Sequence, residues 1–201
     1  MTVLVFSRTT GYRHDSIAAG IEAFRQLSDG VVATEDPRAL EDLAGADAVV
    51  FLNTNGEVLT GAGRAALEAY VRGGGGFLGV HSAAATEYGW PFYGDLLGAR
   101  FDKHPAVQPA TIEVSDPDHP STAHLPAAWP RVDEWYDFRS RPDARVLLRL
   151  DESTYSGGGW APTTRSPGAT NASAGAPSTP RWATRPSRTP SPRSATTSPT
   201  P

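Results

Sequence analysis

The sequence predicts an α/β fold, with a doubly wound, mostly parallel sheet in residues 1–159 and a disordered tail over 160–201. Three features of the chain point there. Short apolar runs alternate with segments of helical periodicity, each run closes on a polar loop, and the composition changes abruptly near Gly157.

The first run, Val3 to Phe6, ends at Ser7-Arg8-Thr9-Thr10-Gly11, the pattern of a buried parallel strand followed by a loop. Asp15 or Ser16 is placed to cap a helix in which Ile17, Ile21, Phe24 and Leu27 recur at helical spacing, with Gly30 as its stop. Residues 31–33 form a second strand, and the valine-rich residues 46–52 a third, bounded by the turn formers Asn53-Thr54-Asn55-Gly56. Thr60 opens a second helix, with Leu67, Tyr70 and Val71 on one face and the glycines from Gly73 onward as its end. A fourth strand, 77–80, runs straight into His81-Ser82-Ala83-Ala84. Residues 88–138 then mix aromatics with histidine, proline and acid, and 111–114 and 144–150 read as further strands, the last completing the α/β core near Asp151. In such sheets ligands gather at the carboxyl ends of the strands, here residues 9–14, 53–57 and 81–86.

Composition narrows the function classes. The 201 residues carry 18 Lys+Arg against 22 Asp+Glu, a net charge of −4 that argues against nucleic acid as a partner. The balance is uneven: the first 160 residues hold 13 basic and 22 acidic groups, whereas 161–201 have no acid, five arginines, nine of the 18 prolines and one large apolar side chain, Trp182. That tail cannot bury enough apolar surface to offset its conformational entropy and should be disordered. There is no apolar run of about 18 residues, so no membrane span is expected, and the N-terminus reads as a strand rather than a signal peptide; a cytoplasmic protein follows. Cysteine is absent, which removes disulfides, thiolate zinc sites and a cysteine nucleophile.

The sharpest local motif is Gly79-Val80-His81-Ser82-Ala83. A strand followed by glycine, a functional residue and small neighbours is the elbow that lifts one side chain above a sheet, and here that side chain is His81. Imidazole serves there as a base, a metal ligand or a hydrogen-bond donor; the plainer alternative is a histidine satisfied at a strand end. Taken with Trp90-Pro91-Phe92-Tyr93, Leu97-Gly98-Ala99, His104-Pro105, Asp118-His119-Pro120, Asp133-Glu134-Trp135-Tyr136 and Leu150-Asp151-Glu152 in that order, the segment Gly76 to Ala83 resembles the ThuA-like family. That family is named for trehalose utilisation. The resemblance covers residues 1–159 and implies a flavodoxin-like, three-layer domain of the class I glutamine amidotransferase-like type, with His81 where an amidotransferase has its catalytic cysteine. Glutamine hydrolysis through a thioester is thereby excluded.

The strand-end loops supply the other candidates. His14, beside Arg13, follows the first strand, and Asn53 and Asn55 follow the third, where amides suit sugar hydroxyls but also make turns. Ser82 neighbours His81. His104 and His119 each precede proline, which holds the imidazole on an extended backbone or simply forms a turn. Asp133, Glu134, Trp135 and Tyr136 combine carboxylates with stacking surfaces, a mixture suited to carbohydrate; an edge strand with aromatics in the core is the alternative. His14, His81, His104 and Glu134 are ligand types for a divalent metal, without a diagnostic spacing. The expectation is a protein that binds or processes a sugar or disaccharide derivative, with His81 and Glu134 as catalytic groups and His14, Asn53, Ser82, His104 and Tyr136 as ligand-binding groups. A divalent metal is the candidate cofactor and a homo-oligomer the candidate assembly. The alternative is a non-catalytic carbohydrate-binding or regulatory module.

The motif likeness stops at Gly157-Gly158-Gly159, where the family resemblance implies an Asp-His-Pro-Ile-Ala-Trp segment and then a Phe-Tyr-Thr strand with a Gly-His. Read one nucleotide upstream with free choice of synonymous codons, Trp160 to Gly168 permit the first and Pro177 to Arg185 the second, in the expected order. The tail from about Trp160 therefore reads as an out-of-frame C-terminus, the alternative being a genuine Pro/Ser/Thr-rich linker or tail. Sequencing the locus is expected to reveal an insertion or deletion near the codon for Gly159; an uninterrupted frame encoding this tail, together with related full-length proteins that end the same way, refutes the frameshift.

Overall fold

The computed structural model describes residues 1–142 and 144–159. The apolar run at the start becomes β1 (Val3–Phe6), and because strand side chains alternate, it sends Val3 and Val5 into one apolar cluster and Leu4 and Phe6 into another. β1 pairs in parallel with β2 (Val31–Thr34) on one side and β3 (Ala48–Leu52) on the other, and β3 pairs in parallel with β4 (Gly76–Val80). The sheet order is β2-β1-β3-β4. On one face, α1 (Ile17–Leu27) lays Ile21 and Phe24 against Val3, Val5, Val50 and Leu52. On the other, α2 (Gly61–Arg72) and α3 (Pro91–Leu97) bring Leu67, Val71, Phe92 and Tyr93 against Phe6, Phe51 and Phe77.

The helix boundaries separate a correct expectation from an incorrect one. Thr60 caps α2 as its position implies, accepting a hydrogen bond from the Gly63 N–H at 2.9 Å. Ser16 precedes α1 but makes no side-chain cap; its hydroxyl instead accepts the Asn53 amide at 3.0 Å. Leu27, expected on the apolar stripe, ends α1 fully turned to solvent.

The expected closing strand of the α/β core lies elsewhere. It forms as β9 (Leu148–Asp151) and pairs antiparallel with β6 (Gln108–Val114), which also pairs antiparallel with β7 (Ala128–Asp133). These three strands make a second sheet over their own core of Ala110, Ile112, Trp135, Leu147 and Leu148. A further short pair, β5 (Phe101–Lys103) with β8 (Asp137–Phe138), is antiparallel as well. Parallel pairing needs a crossover of about a dozen residues, usually a helix; among the described residues no α-helix follows α3, so the later strands meet as antiparallel neighbours. The disordered, out-of-frame tail inferred from the sequence falls outside the described residues.

The loops after β1, β3 and β4 continue the ladder beyond the strands. Thr9 bridges Asn55 and Gly56 bridges Thr86, both in parallel sense, while Thr54 and Thr86 share a buried hydroxyl hydrogen bond of 2.8 Å. Gly56 sits at φ 82°, and a Cβ there would lie 2.2 Å from the Thr10 hydroxyl, so this close approach requires glycine. Glu87, fully buried, ties the same loops: its carboxylate accepts the Val58 and Leu59 N–H groups, each at 2.8 Å, and Arg64 Nε from α2 at 2.7 Å. Burial raises its pKa, and those two backbone bonds and Arg64 work against the rise.

Removing this carboxylate leaves two buried N–H groups without their acceptor and Arg64 with Glu57 alone. Glu87→Ala is expected to lower the unfolding free energy by about 3 kcal/mol, whereas Glu35→Ala, which breaks the exposed pair with Arg13, should lower it by less than about 1 kcal/mol. Urea denaturation of the two variants measures the difference, and equal losses would remove the structural role assigned to Glu87.

Candidate functional site

At the carboxyl end of β4 the backbone turns sharply. His81 adopts φ 52°, left-handed for a residue that is not glycine, and a short 3-10 turn, His81–Ala85, follows. The expected elbow is therefore present, built as a strained position, and it holds the imidazole above the end of the sheet. Gly79 is small for a reason: a Cβ there would stand 2.8 Å from the Leu97 side chain.

Three other predicted residues meet that imidazole, and two more adjoin them. His14, from the loop after β1, places its Nε2 3.0 Å from His81 Nε2, with the rings edge to face. The Tyr136 hydroxyl is 2.9 Å from the same nitrogen and Glu134 Oε2 is 3.2 Å from it. Glu134 Oε2 also lies 3.8 Å from His14 Nε2 and 3.7 Å from His104 Nε2. Ser82 belongs as well. Its hydroxyl is 3.3 Å from His14 Nδ1, so it reaches the cluster through the second ring nitrogen of His14.

The remaining candidates are held elsewhere. Asn53 is buried at φ 49° with its amide given to Ser16, so it braces the loop after β3 against α1. Arg13 spans from the Ser7 carbonyl to Glu35. His119 accepts the Ser121 N–H at 3.2 Å, which makes it a turn former, whereas His104 of the other His-Pro pair stands beside Glu134. The Asp133 to Tyr136 segment is split between the cluster and the second core. Glu134 and Tyr136 face the cluster, and Trp135 is buried in the second core with its indole N–H donated to the Gln108 carbonyl at 2.7 Å.

Two aromatic walls were not singled out by sequence. Tyr12 meets His14 edge to face at 4.7 Å, and Phe101 packs against Tyr136 at 4.3 Å between ring centroids. Each sits two or three residues from a histidine, at Tyr12-Arg13-His14 and Phe101-Asp102-Lys103-His104, and that spacing was the available signal.

The electrostatics favour neutral imidazole at the centre. Burial lowers the His81 pKa, and the neighbouring His14 ring lowers it further, against an opposing pull from Glu134. Tyr136 is pushed the other way, above the usual phenol range, by burial first and then by the Glu134 carboxylate, so it stays a hydroxyl. The site keeps access to solvent: 17% of the His81 side chain and 22% of Glu134 remain exposed. Of the ligand types predicted for a metal, His14, His81 and Glu134 bring one donor atom each within 4.8 Å of one another; His104 lies outside that group of three.

A family model described as ThuA, trehalose utilisation, matches residues 2–176. Among solved structures, a ThuA-like protein from Bacteroides uniformis is 28% identical, with a TM-score of 0.61 over 74% of this chain and 67% of that one. A ThuA-like protein from Parabacteroides merdae, 18% identical, gives a TM-score of 0.62 over 75% of this chain and 68% of its own. A cytoplasmic protein from Salmonella typhimurium, 15% identical, gives 0.51 over 75% and 79%. No curated protein matches the chain.

The φ of His81 makes its own demand on stability. A residue with a Cβ costs about 1 kcal/mol more than glycine in the left-handed region. His81→Gly is therefore expected to unfold at a higher urea concentration than His81→Ala; an alanine variant as stable as the glycine one is incompatible with a strained elbow.

Proposed function

The chain belongs to the ThuA family, trehalose utilisation, and from that premise we propose that it binds a sugar or disaccharide derivative at the His81 cluster and acts on it by proton transfer. The observation that carries this is the convergence of a second imidazole, a carboxylate and a phenol on His81 Nε2 at the carboxyl end of β4, with His104 against the same carboxylate. Ligands of open α/β sheets bind at such strand ends. The strand order β2-β1-β3-β4 is also that of the first four strands of a flavodoxin-like sheet, which fits the wrapping proposed for this domain.

A polyol suits this lining. Glu134 and the histidines accept and donate hydrogen bonds, and Tyr12 and Phe101 offer ring faces and edges for the apolar C–H side of a sugar. His81, kept neutral by burial, accepts a proton from a substrate hydroxyl, and Glu134 beside it stabilises the imidazolium that results. Tyr136 donates its O–H to the oxygen that gains charge. With no cysteine in the chain, the elbow offers no thiol for amidotransferase chemistry. We place the protein in the cytoplasm; no helix among the described residues is long and apolar enough to cross a membrane.

Trehalose and a panel of other disaccharides and their oxidised derivatives, titrated calorimetrically, test the proposal. At least one should bind, and His81→Ala and Glu134→Gln should each cut turnover of that ligand by about 100-fold or more. Binding with no turnover would leave a carbohydrate-binding module, and the absence of any binding would sink the sugar assignment.

A further inference from the structure

We propose that the cluster is a divalent metal site in which His14 Nε2, His81 Nε2 and a Glu134 oxygen are the protein ligands and the remaining positions are open to water or substrate. This deepens the assignment of the cluster as the functional site and rests on it.

The crowding at His81 Nε2 is the first reason. A ring nitrogen has a single in-plane bonding direction, used either by its proton or by its lone pair. Three polar atoms nevertheless stand around it: His14 Nε2 at 3.0 Å, the Tyr136 hydroxyl at 2.9 Å and Glu134 Oε2 at 3.2 Å. That nitrogen serves at most one of them with a direct hydrogen bond of good geometry, while the Tyr136 hydroxyl also hydrogen-bonds Glu134. An ion among them satisfies the lone pairs of both histidines and the carboxylate together.

The separations are the second. Ligands about 2.1 Å from a metal lie about 3.4 Å apart on a tetrahedron and about 3.0 Å apart on neighbouring corners of an octahedron. The three donor-to-donor distances here are 3.0, 3.2 and 3.8 Å. The His14–His81 separation already matches the octahedral spacing, and a shift of Glu134 toward His14 completes it, whereas a tetrahedral set needs the two imidazoles to part by about 0.4 Å.

The outer partner of His14 is the third. Metal-bound histidines almost always give their other ring N–H to an oxygen, which fixes the tautomer and aims the lone pair at the ion. His14 Nδ1 lies 3.3 Å from the Ser82 hydroxyl, and Ser82 is buried at the start of the elbow turn. With His14 Nδ1 as the donor in that contact, Nε2 carries the lone pair and lies toward His81 and Glu134.

Two imidazoles and one carboxylate, with open positions, suit zinc, manganese or iron(II). An ion held there would lower the pKa of a bound hydroxyl or water, and with His81 Nε2 and Glu134 as its ligands the proton would pass to another base in place of the His81 assigned above. His104, 3.7 Å from Glu134 and outside the three, is then the imidazole left to receive that proton.

The test uses the full chain, stripped with a chelator and titrated with Zn²⁺, Mn²⁺ or Co²⁺ alone, with bound metal counted by elemental analysis after dialysis. One ion per chain is expected, and with Co²⁺ a visible absorption band. His14→Ala and Glu134→Gln should each weaken binding by at least tenfold to 100-fold, Ser82→Ala by up to about tenfold, and His119→Ala not at all. Circular dichroism checks that each variant is folded, and Glu134→Gln, nearly isosteric, stands in if His14→Ala does not fold. Substoichiometric metal, or affinity unchanged in the folded variants, overturns the site. Sugar binding by the stripped chain without metal uptake would overturn the ion and keep the sugar; metal uptake without sugar binding would do the reverse.

Discussion

Glu87 is a charge without solvent, and most of the molecule's functional edge is arranged around how that charge is accommodated. It stands at φ 53°, just after the His81–Ala85 turn, and reaches across to the backbone that follows β3 and to Arg64 on α2. Parallel strands end together on one side of a sheet, so their last carbonyl and N–H groups are left facing one another with no further ladder to join. The Thr9–Asn55 and Gly56–Thr86 bridges, the Thr54–Thr86 hydroxyl pair and the Glu87 carboxylate close that gap. His81 is six residues from Glu87 along the chain, and the same bracing that satisfies the strand ends fixes the height and direction of the elbow.

The site is shared between two structural layers of different origin. His14, His81 and Ser82 come from the parallel sheet's loops, whereas His104, Glu134 and Tyr136 come from the segments flanking the antiparallel strands. Tyr136 is the hinge of that meeting, in ring contact with His81, His104 and Phe101. The second sheet is thus a wall of the site as well as a separate core, and Trp135, pointing the other way, anchors the wall while Glu134 and Tyr136 face the imidazoles.

Much of this was legible in the chain. The four parallel strands announce themselves as apolar runs, and Thr60, placed before a clear amphipathic stretch, caps its helix as its chemistry dictates. Residues of the site were legible one by one because they sit in strand-end loops, where side-chain chemistry is not masked by core demands. Their meeting was not: His14 and His81 are 67 positions apart and Tyr136 another 55 on, a proximity that only the register of β1, β3 and β4 and the folding-back of β6 to β9 create. The antiparallel arrangement escaped detection because β7 carries Trp129, Pro130 and Arg131 in place of a continuous apolar face, as an edge strand can. Glu87 was missed since nothing in Ala85-Thr86-Glu87-Tyr88 distinguishes a buried acid from a surface one. Asn53 and His119 carried the right chemistry for a ligand, and spend it on the Ser16 hydroxyl and the Ser121 N–H.

The left-handed backbone at the elbow also sets which histories are open to this position. Valine, isoleucine and threonine, branched at Cβ, are strongly disfavoured at φ 52°, while glycine and asparagine sit there with little strain. Drift at residue 81 is therefore channelled by geometry before chemistry is consulted. A lineage that abandoned the imidazole would pass most easily to glycine or asparagine and keep its fold, so the substitutions tolerated at this one residue record whether selection acted on the turn or on the ring.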